Sequence, residues 1–321
     1  MADGGDLGEL RALVTRLAER RQADVLIYSG ELAHPGDGDL ALERHGRPRQ
    51  PNCLLLLSTL GGSAEAAYRL ARTLRRQYRN LTVYLDDYCK GAGMLLALTA
   101  DELVISDFGE LGPLDLASQH AIIPGHGESG LAPIQGLRAL RAEAETSFEQ
   151  YLARFRSRRG LAMTTRWAIE QASALSVGLM GPLMAQIDPL QVAEVDRATK
   201  TATLYVQRLG ADHLKEGALD RLLTGYPSHD FVIDREEAGD LLRTVRAPTT
   251  EEGVFLTHVE PIVGERRLQG RLLLLDEALA VVEADGGNLP ARSPDGSGSA
   301  READDAVQAP DAEGTTEPTQ P

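Results

Sequence analysis

The chain has 321 residues, 42% of them hydrophobic, enough for one sizeable core or for one domain with appendages. A formal net charge of -15 argues against nucleic acid or an anionic membrane surface as the main partner. Two cysteines, Cys53 and Cys89, can make no disulfide framework and give no metal-ligand spacing, which fits a reducing, cytoplasmic setting.

No stretch approaches the ~20 apolar residues needed to span a bilayer. The first residues, Met1–Asp6, lack the basic and apolar regions of a signal peptide. No cofactor and no metal is expected. Aromatic residues make up only 4%, so the core must be built from Leu, Val, Ile and Ala.

Leu7, Leu10, Leu13, Val14 and Leu17 recur at helical spacing, which predicts an N-terminal helix within residues 1–22, docked on the core or on a neighbouring subunit. Ala23–Tyr28 reads as a buried strand. The segment 34–51 is a polar loop with a short helix at Asp39–Glu43. The domain proper is expected over residues 23–284.

The stretch Asn52–Leu116 organises the rest. An apolar run at Cys53–Leu57 is followed by the turn Ser58-Thr59-Leu60-Gly61-Gly62-Ser63 and a helical pattern over Ala64–Tyr78. A second strand, Leu81–Leu85, leads to Cys89-Lys90-Gly91-Ala92-Gly93 and an apolar helix, Met94–Ala100. A third, Leu103–Ser106, leads to Gly109–Asp115. Short continuous apolar runs alternating with helices predict an α/β fold with a parallel sheet buried on both faces. Glycine pairs after strands let the backbone turn where a Cβ would clash. Two such turns side by side can aim N–H groups at one point, the construction of an oxyanion hole.

Leu116–Ile123 is expected to be extended and Pro124–Pro133 to be a glycine-rich loop. The segment 133–210 reads as helical: Pro133–Arg158, then Thr164–Leu175 and Val177–Ala185 (interrupted near Gly181-Pro182), then a helix capped by Asp188 with Pro189 at its first position. Leu214–Thr224 reads as a short helix. Gly225–Ile233 is a turn and short strand, Asp234 caps Arg235–Arg243, Val254–Val259 is a strand and Leu268–Val282 a helix. Beyond Asp285 large apolar residues nearly vanish while Pro, Gly, Ser, Asp and Glu dominate, so residues 285–321 read as a disordered acidic tail.

Several motifs in this order resemble the Clp protease/crotonase superfamily. They are Leu60-Gly61-Gly62, the run Gly91–Asp101, Leu111–Asp115, Ile187-Asp188-Pro189, and Gly225–His229 with Ile233 and Glu237-Ala238. Within that superfamily the sequence is most similar to the serine dehydrogenase proteinases, relatives of signal peptide peptidase A. The resemblance implies a ClpP/crotonase-like spiral of ββα repeats with a parallel sheet and a helical second half. It also implies homo-oligomeric rings and hydrolysis of peptide or protein substrates by a serine at the second turn. Oxyanion donors would come from Gly61 and Gly62 and from Gly91 and Ala92.

The family's serine falls on Gly91, which cannot attack a carbonyl. Losing the nucleophile removes the covalent step, although ~10³–10⁴-fold acceleration over water can persist from the hole and binding. Other candidates compete with bland roles. Ser63 is a nucleophile or a helix cap, Ser58 a weaker candidate at a strand end, and Cys89 a thiol nucleophile or a small core residue. Lys90 is a base or a solvent-facing cation. Asp115, near the family's histidine position, orients water or caps a turn. Aligned on Glu237-Ala238, Asp230 takes the third triad position with His229 beside it. The other histidines lack partners at informative spacing.

Three functions follow. The first is a peptidase homologue without its nucleophile that binds peptide or acyl groups at a retained hole. The second is an active hydrolase using Ser63, Cys89 or a positioned water. The third is an acyl-CoA enzyme of the crotonase kind, against which stands the absence of an Ala-Gly-x-Asp signature at the first turn.

Overall fold

The computed structural model describes residues 4–32, 49–116, 132–157, 164–263 and 269–283. Strands β1 (Ala23–Ser29), β2 (Asn52–Ser58) and β3 (Asn80–Leu85) pair in parallel, and β5 (Glu102–Ile105) and β7 (Val245–Arg246) continue the sheet in parallel beyond β3. On the far side of β1 lies the antiparallel strand β8 (Arg271–Leu274), giving the order β7-β5-β3-β2-β1-β8. The fold is therefore α/β with a mostly parallel, mixed sheet.

The alternation of side chains along a strand divides the core in two. Leu26, Tyr28, Leu55, Leu57, Leu81, Val83, Leu103 and Ile105 face one layer of helices. That layer holds α2 (Ala64–Gln77), α3 (Met94–Ala97), α6 (Pro189–Leu209), α7 (Ala218–Thr224) and α8 (Arg235–Leu241). Val25, Ile27, Leu54, Leu56, Tyr84 and Val104 face the other. There stand α1 (Gly4–Arg21), α9 (Thr250–Val263) and α10 (Leu275–Glu283). The continuous apolar runs follow from this double coverage. The amphipathic helix α1 docks on the core of its own chain through Leu7, Leu10, Val14 and Leu17.

Helices α4 (Ala132–Ser157) and α5 (Thr165–Met184) form an antiparallel hairpin. Ser176 Oγ donates to the Ala144 carbonyl at 2.9 Å, and the rings of Phe155 and Trp167 meet edge to face at 5.7 Å.

Several expectations are corrected. Val254–Val259 is not a strand: it lies inside α9, where Phe255, Leu256, Val259 and Ile262 make a helical stripe on the core. Leu268–Val282 is not one helix. The run Arg271–Leu274 pairs with β1, and helix begins only at Leu275. The two helices expected over 164–185 are a single helix, because Pro182 falls in the last turn, where its missing N–H removes one bond near the end. The helix after Leu214 starts at Ala218, since Leu214 bridges Leu242. The apolar helix after the second turn is α-helical only over Met94–Ala97, preceded by a 3-10 turn at Gly91–Gly93. The expectations for Asp39–Glu43, for residues 124–131 and for the 285–321 tail lie outside the described residues, as does all of Leu116–Ile123 except Leu116.

Candidate functional site

A second, smaller layer of backbone pairing sits beyond the strand ends. Strands β4 (Tyr88–Cys89) and β6 (Glu110–Leu111) pair in parallel. Thr59 bridges Cys89, Leu111 bridges Ile233, and Leu32 bridges Gly62. The hydrogen bonds are direct: Thr59 N–H to the Tyr88 carbonyl at 2.9 Å, and Lys90 N–H to the Thr59 carbonyl at 2.9 Å. Leu111 and Ile233 exchange two more, each 2.9 Å. The layer joins both glycine turns to the 225–233 loop.

At its centre the two turns touch. Gly61 has φ +113°, and a Cβ there would stand 3.1 Å from the Lys90 carbonyl oxygen and 3.2 Å from the Ala92 nitrogen. A side chain at Gly61 would therefore separate the turns. The Thr59 hydroxyl fixes the first one by accepting from Gly61 N–H at 3.0 Å. The N–H groups of Gly62, Gly91 and Ala92 donate to no acceptor among the described residues. Three of the four residues expected to line an oxyanion hole thus carry uncommitted donors. The fourth, Gly61, spends its own N–H on Thr59.

Gly91 has φ +51°, and a Cβ there would meet His229 Cε1 at 3.0 Å, the Asp115 carbonyl at 3.3 Å and the Leu60 carbonyl at 3.6 Å. The imidazole edge therefore stands against the slot where the nucleophile is expected. His229 Nδ1 is buried without a hydrogen-bond partner among the described residues. An orphaned buried ring nitrogen is costly. Asp115 is 3% exposed and lines the slot with its main-chain carbonyl. Asp230 has an exposed side chain and turns only its carbonyl inward, where it accepts from Lys90 Nζ at 3.2 Å.

The remaining candidates are held in other ways. Lys90 is only 7% exposed, and its Nζ lies 2.7 Å from Glu110 Oε1, so the solvent-facing cation is excluded and its protons are committed to Glu110 and to the Asp230 carbonyl. Ser63 caps α2: its Oγ accepts from Ala66 N–H at 3.2 Å and donates to Glu65 at 3.1 Å. Ser58 is buried and donates to Asp87 Oδ2 at 2.8 Å; burial raises the Asp87 carboxyl above its ordinary range. Cys89 is wholly buried, and burial pushes its thiol well above the ordinary range, which denies it a thiolate.

Sequence reasoning missed Glu110 and Leu32. Glu110 lies 20 positions from Lys90 and reaches it through the β4–β6 pairing, which no local pattern announces. Among the described residues, no group of three or more His, Cys, Asp or Glu side chains could hold a metal ion, and no helix is long and apolar enough to cross a membrane. Compared with protein-family models and with curated proteins the chain finds no match, so the site is read from its own geometry.

Proposed function

We propose that the chain is a ClpP/crotonase-fold protein on the serine-protease side of that superfamily, similar to the serine dehydrogenase proteinases, with glycine at the nucleophile position. It binds a peptide or acyl carbonyl at a retained oxyanion hole and is weakened or silent in hydrolysis. One observation carries this reading: the first glycine turn packs against the second at Gly61 and Ala92, with uncommitted N–H groups at Gly62, Gly91 and Ala92 and the His229 ring over the Gly91 slot. Backbone donors so fixed stabilise an oxyanion without a side chain. What they lack is an attacking atom.

The same reading makes the chain self-associating. Two free cysteines, both buried, suit a reducing cytoplasm.

A second reading is favoured by the unpartnered His229 Nδ1. A water in the Gly91 slot would attack the carbonyl carbon while the imidazole takes its proton, and the leaving group would then receive that proton. Hydrolysis through Ser63 or Cys89 is disfavoured, because one hydroxyl is spent on a helix cap and the other group is a buried thiol.

The test uses a fluorophosphonate probe and casein. The wild-type chain is expected to take no label and to leave casein intact, whereas Gly91→Ser is expected to be labelled at the new serine. A label on the wild-type chain overturns the loss of the nucleophile. Casein cleavage by wild type that disappears in His229→Gln selects the water mechanism. Calorimetric binding of a coenzyme A thioester would move the chain to the acyl-CoA side.

A further inference from the structure

Lys90 is a buried lysine whose chemistry the hole does not use. Its stem passes over Gly112, where a Cβ would stand 2.8 Å from Lys90 Cγ. Its ammonium then reaches two targets on different segments: Glu110 Oε1 at 2.7 Å, on β6, and the Asp230 carbonyl at 3.2 Å, on the 225–233 loop. The chain positions make this arrangement informative. Lys90 directly precedes Gly91, the slot; Asp230 directly follows His229, the ring at the slot. The bond from Lys90 to Asp230 therefore runs beside the Gly91–His229 approach, as one rung beside another. Main-chain bonds between Leu111 and Ile233 anchor the same loop farther along. Glu110 holds the ammonium at the height the rung requires, because Tyr88–Cys89 and Glu110–Leu111 are in parallel register.

We infer that Lys90, aimed by Glu110, is a positioning residue: its hydrogen bond to the Asp230 carbonyl holds the His229 ring at the Gly91 slot. A charge-assisted bond in a buried site is both strong and directional. One such bond can therefore fix where a loop histidine stands. In this role Lys90 needs no proton transfer of its own, which separates it from the catalytic base that a lysine beside the nucleophile position suggests. The inference rests on the functional reading above only for its importance to catalysis; the geometry is testable without any activity.

The experiment uses the full chain with 13C-labelled histidine. In the wild type a nuclear Overhauser cross-peak is expected between His229 Hε1 and the Gly91 Hα protons. Lys90→Met should abolish it while the resonances of His213 and His258 stay in place. Lys90→Arg, which keeps a charged donor, should restore part of it. A wild-type cross-peak in folded Lys90→Met overturns the inference. If Lys90→Met displaces His213 and His258 as well, the chain has unfolded and Glu110→Gln decides: it preserves shape but removes the ion pair, and an unweakened cross-peak there overturns the inference equally. Failure of the functional reading is seen elsewhere, as an unlabelled Gly91→Ser, and leaves this cross-peak unaffected.

Discussion

Gly62 has the least freedom of the residues at the site. Its φ is +127°, and a Cβ there would stand 2.4 Å from the Leu32 carbonyl oxygen and 2.6 Å from the Leu32 nitrogen. Those are backbone atoms already tied to the turn, by Leu32 N–H to the Gly61 carbonyl at 2.7 Å and Ser63 N–H to the Leu32 carbonyl at 2.5 Å. Neither can move alone, so Gly62→Ala combines a clash with a conformation that L-residues avoid. We expect a loss of at least ~1–3 kcal/mol in chemical denaturation, and equal stability would show that the turn is looser than described. Gly91 is a milder case. Its neighbour is the edge of the His229 ring at 3.0 Å and its φ of +51° lies in the left-handed region. Gly91→Ser should fold with a loss of ~1–2 kcal/mol, measured the same way. The glycines of both turns were legible in the sequence because strand, glycine and helix follow one another locally. The contact between Gly61 and Ala92 is not legible in the same way, because the repeat supplies two turns without fixing their approach. The Glu110–Lys90 pair was invisible, since it depends on a register between two-residue strands.

At the scale of elements, the sheet face covered by α1, α9 and α10 is tied together by a charged knot. Glu252, 2% exposed, accepts from Arg246 at 2.7 and 2.9 Å, from Arg21 at 2.7 Å, from Tyr84 Oη at 2.7 Å and from Thr249 N–H at 2.8 Å. Arg246 in turn grips Glu102 at 2.7 and 3.1 Å. The knot joins α1, α9, β3, β5 and β7. Burial alone would raise the Glu252 carboxyl, but the bonds from Arg246, Thr249, Tyr84 and Arg21 outweigh it and hold the group well below the usual carboxylate range. A depressed folded-state value means stability that is present above the unfolded value, near 4.5, and is lost as pH falls toward the folded one. Wild-type stability should therefore drop below pH ~4.5, and Glu252→Gln should flatten that part of the pH profile while lowering stability at pH 7. Arg246→Ala leaves a buried carboxylate short of its partner and should cost ~3–5 kcal/mol; a loss under ~1 kcal/mol would show the knot to be ornamental. The same region shows why Val254–Val259 misled. Its apolar content suits a strand, yet Thr249 and Glu252 form a reciprocal cap, Thr249 Oγ1 accepting from Glu252 N–H at 3.4 Å, and this starts a helix. That Thr-x-x-Glu signal stands in the sequence just ahead of the apolar run. The strand Arg271–Leu274 was less accessible, because its partner β1 lies at the other end of the chain and pairing at such range leaves no local mark.

For the whole molecule, the helical hairpin is the part that the two-sided core does not explain. Between Glu170 and Asp188 the chain carries no charged residue, although the protein as a whole has a net charge of -15. Within that stretch Leu175 is 44% exposed, Leu179 51% and Leu183 44%, at four-residue spacing along one side of α5. A contiguous apolar patch of this kind is costly in water and marks a contact surface. The uncharged stretch also lets two strongly acidic chains approach where repulsion is weakest, so the occupant we expect is a second copy of this chain. Sedimentation should then give a mass that is a multiple of 34.6 kDa. Leu179→Glu should shift that mass toward one chain: each copy brings a like charge to the contact, while an exposed helical position leaves the fold itself nearly unchanged. A single-chain mass for the wild type would remove self-association and leave the hairpin to a different partner. An unchanged assembly in Leu179→Glu would move the contact off this face of α5 to another surface of the chain.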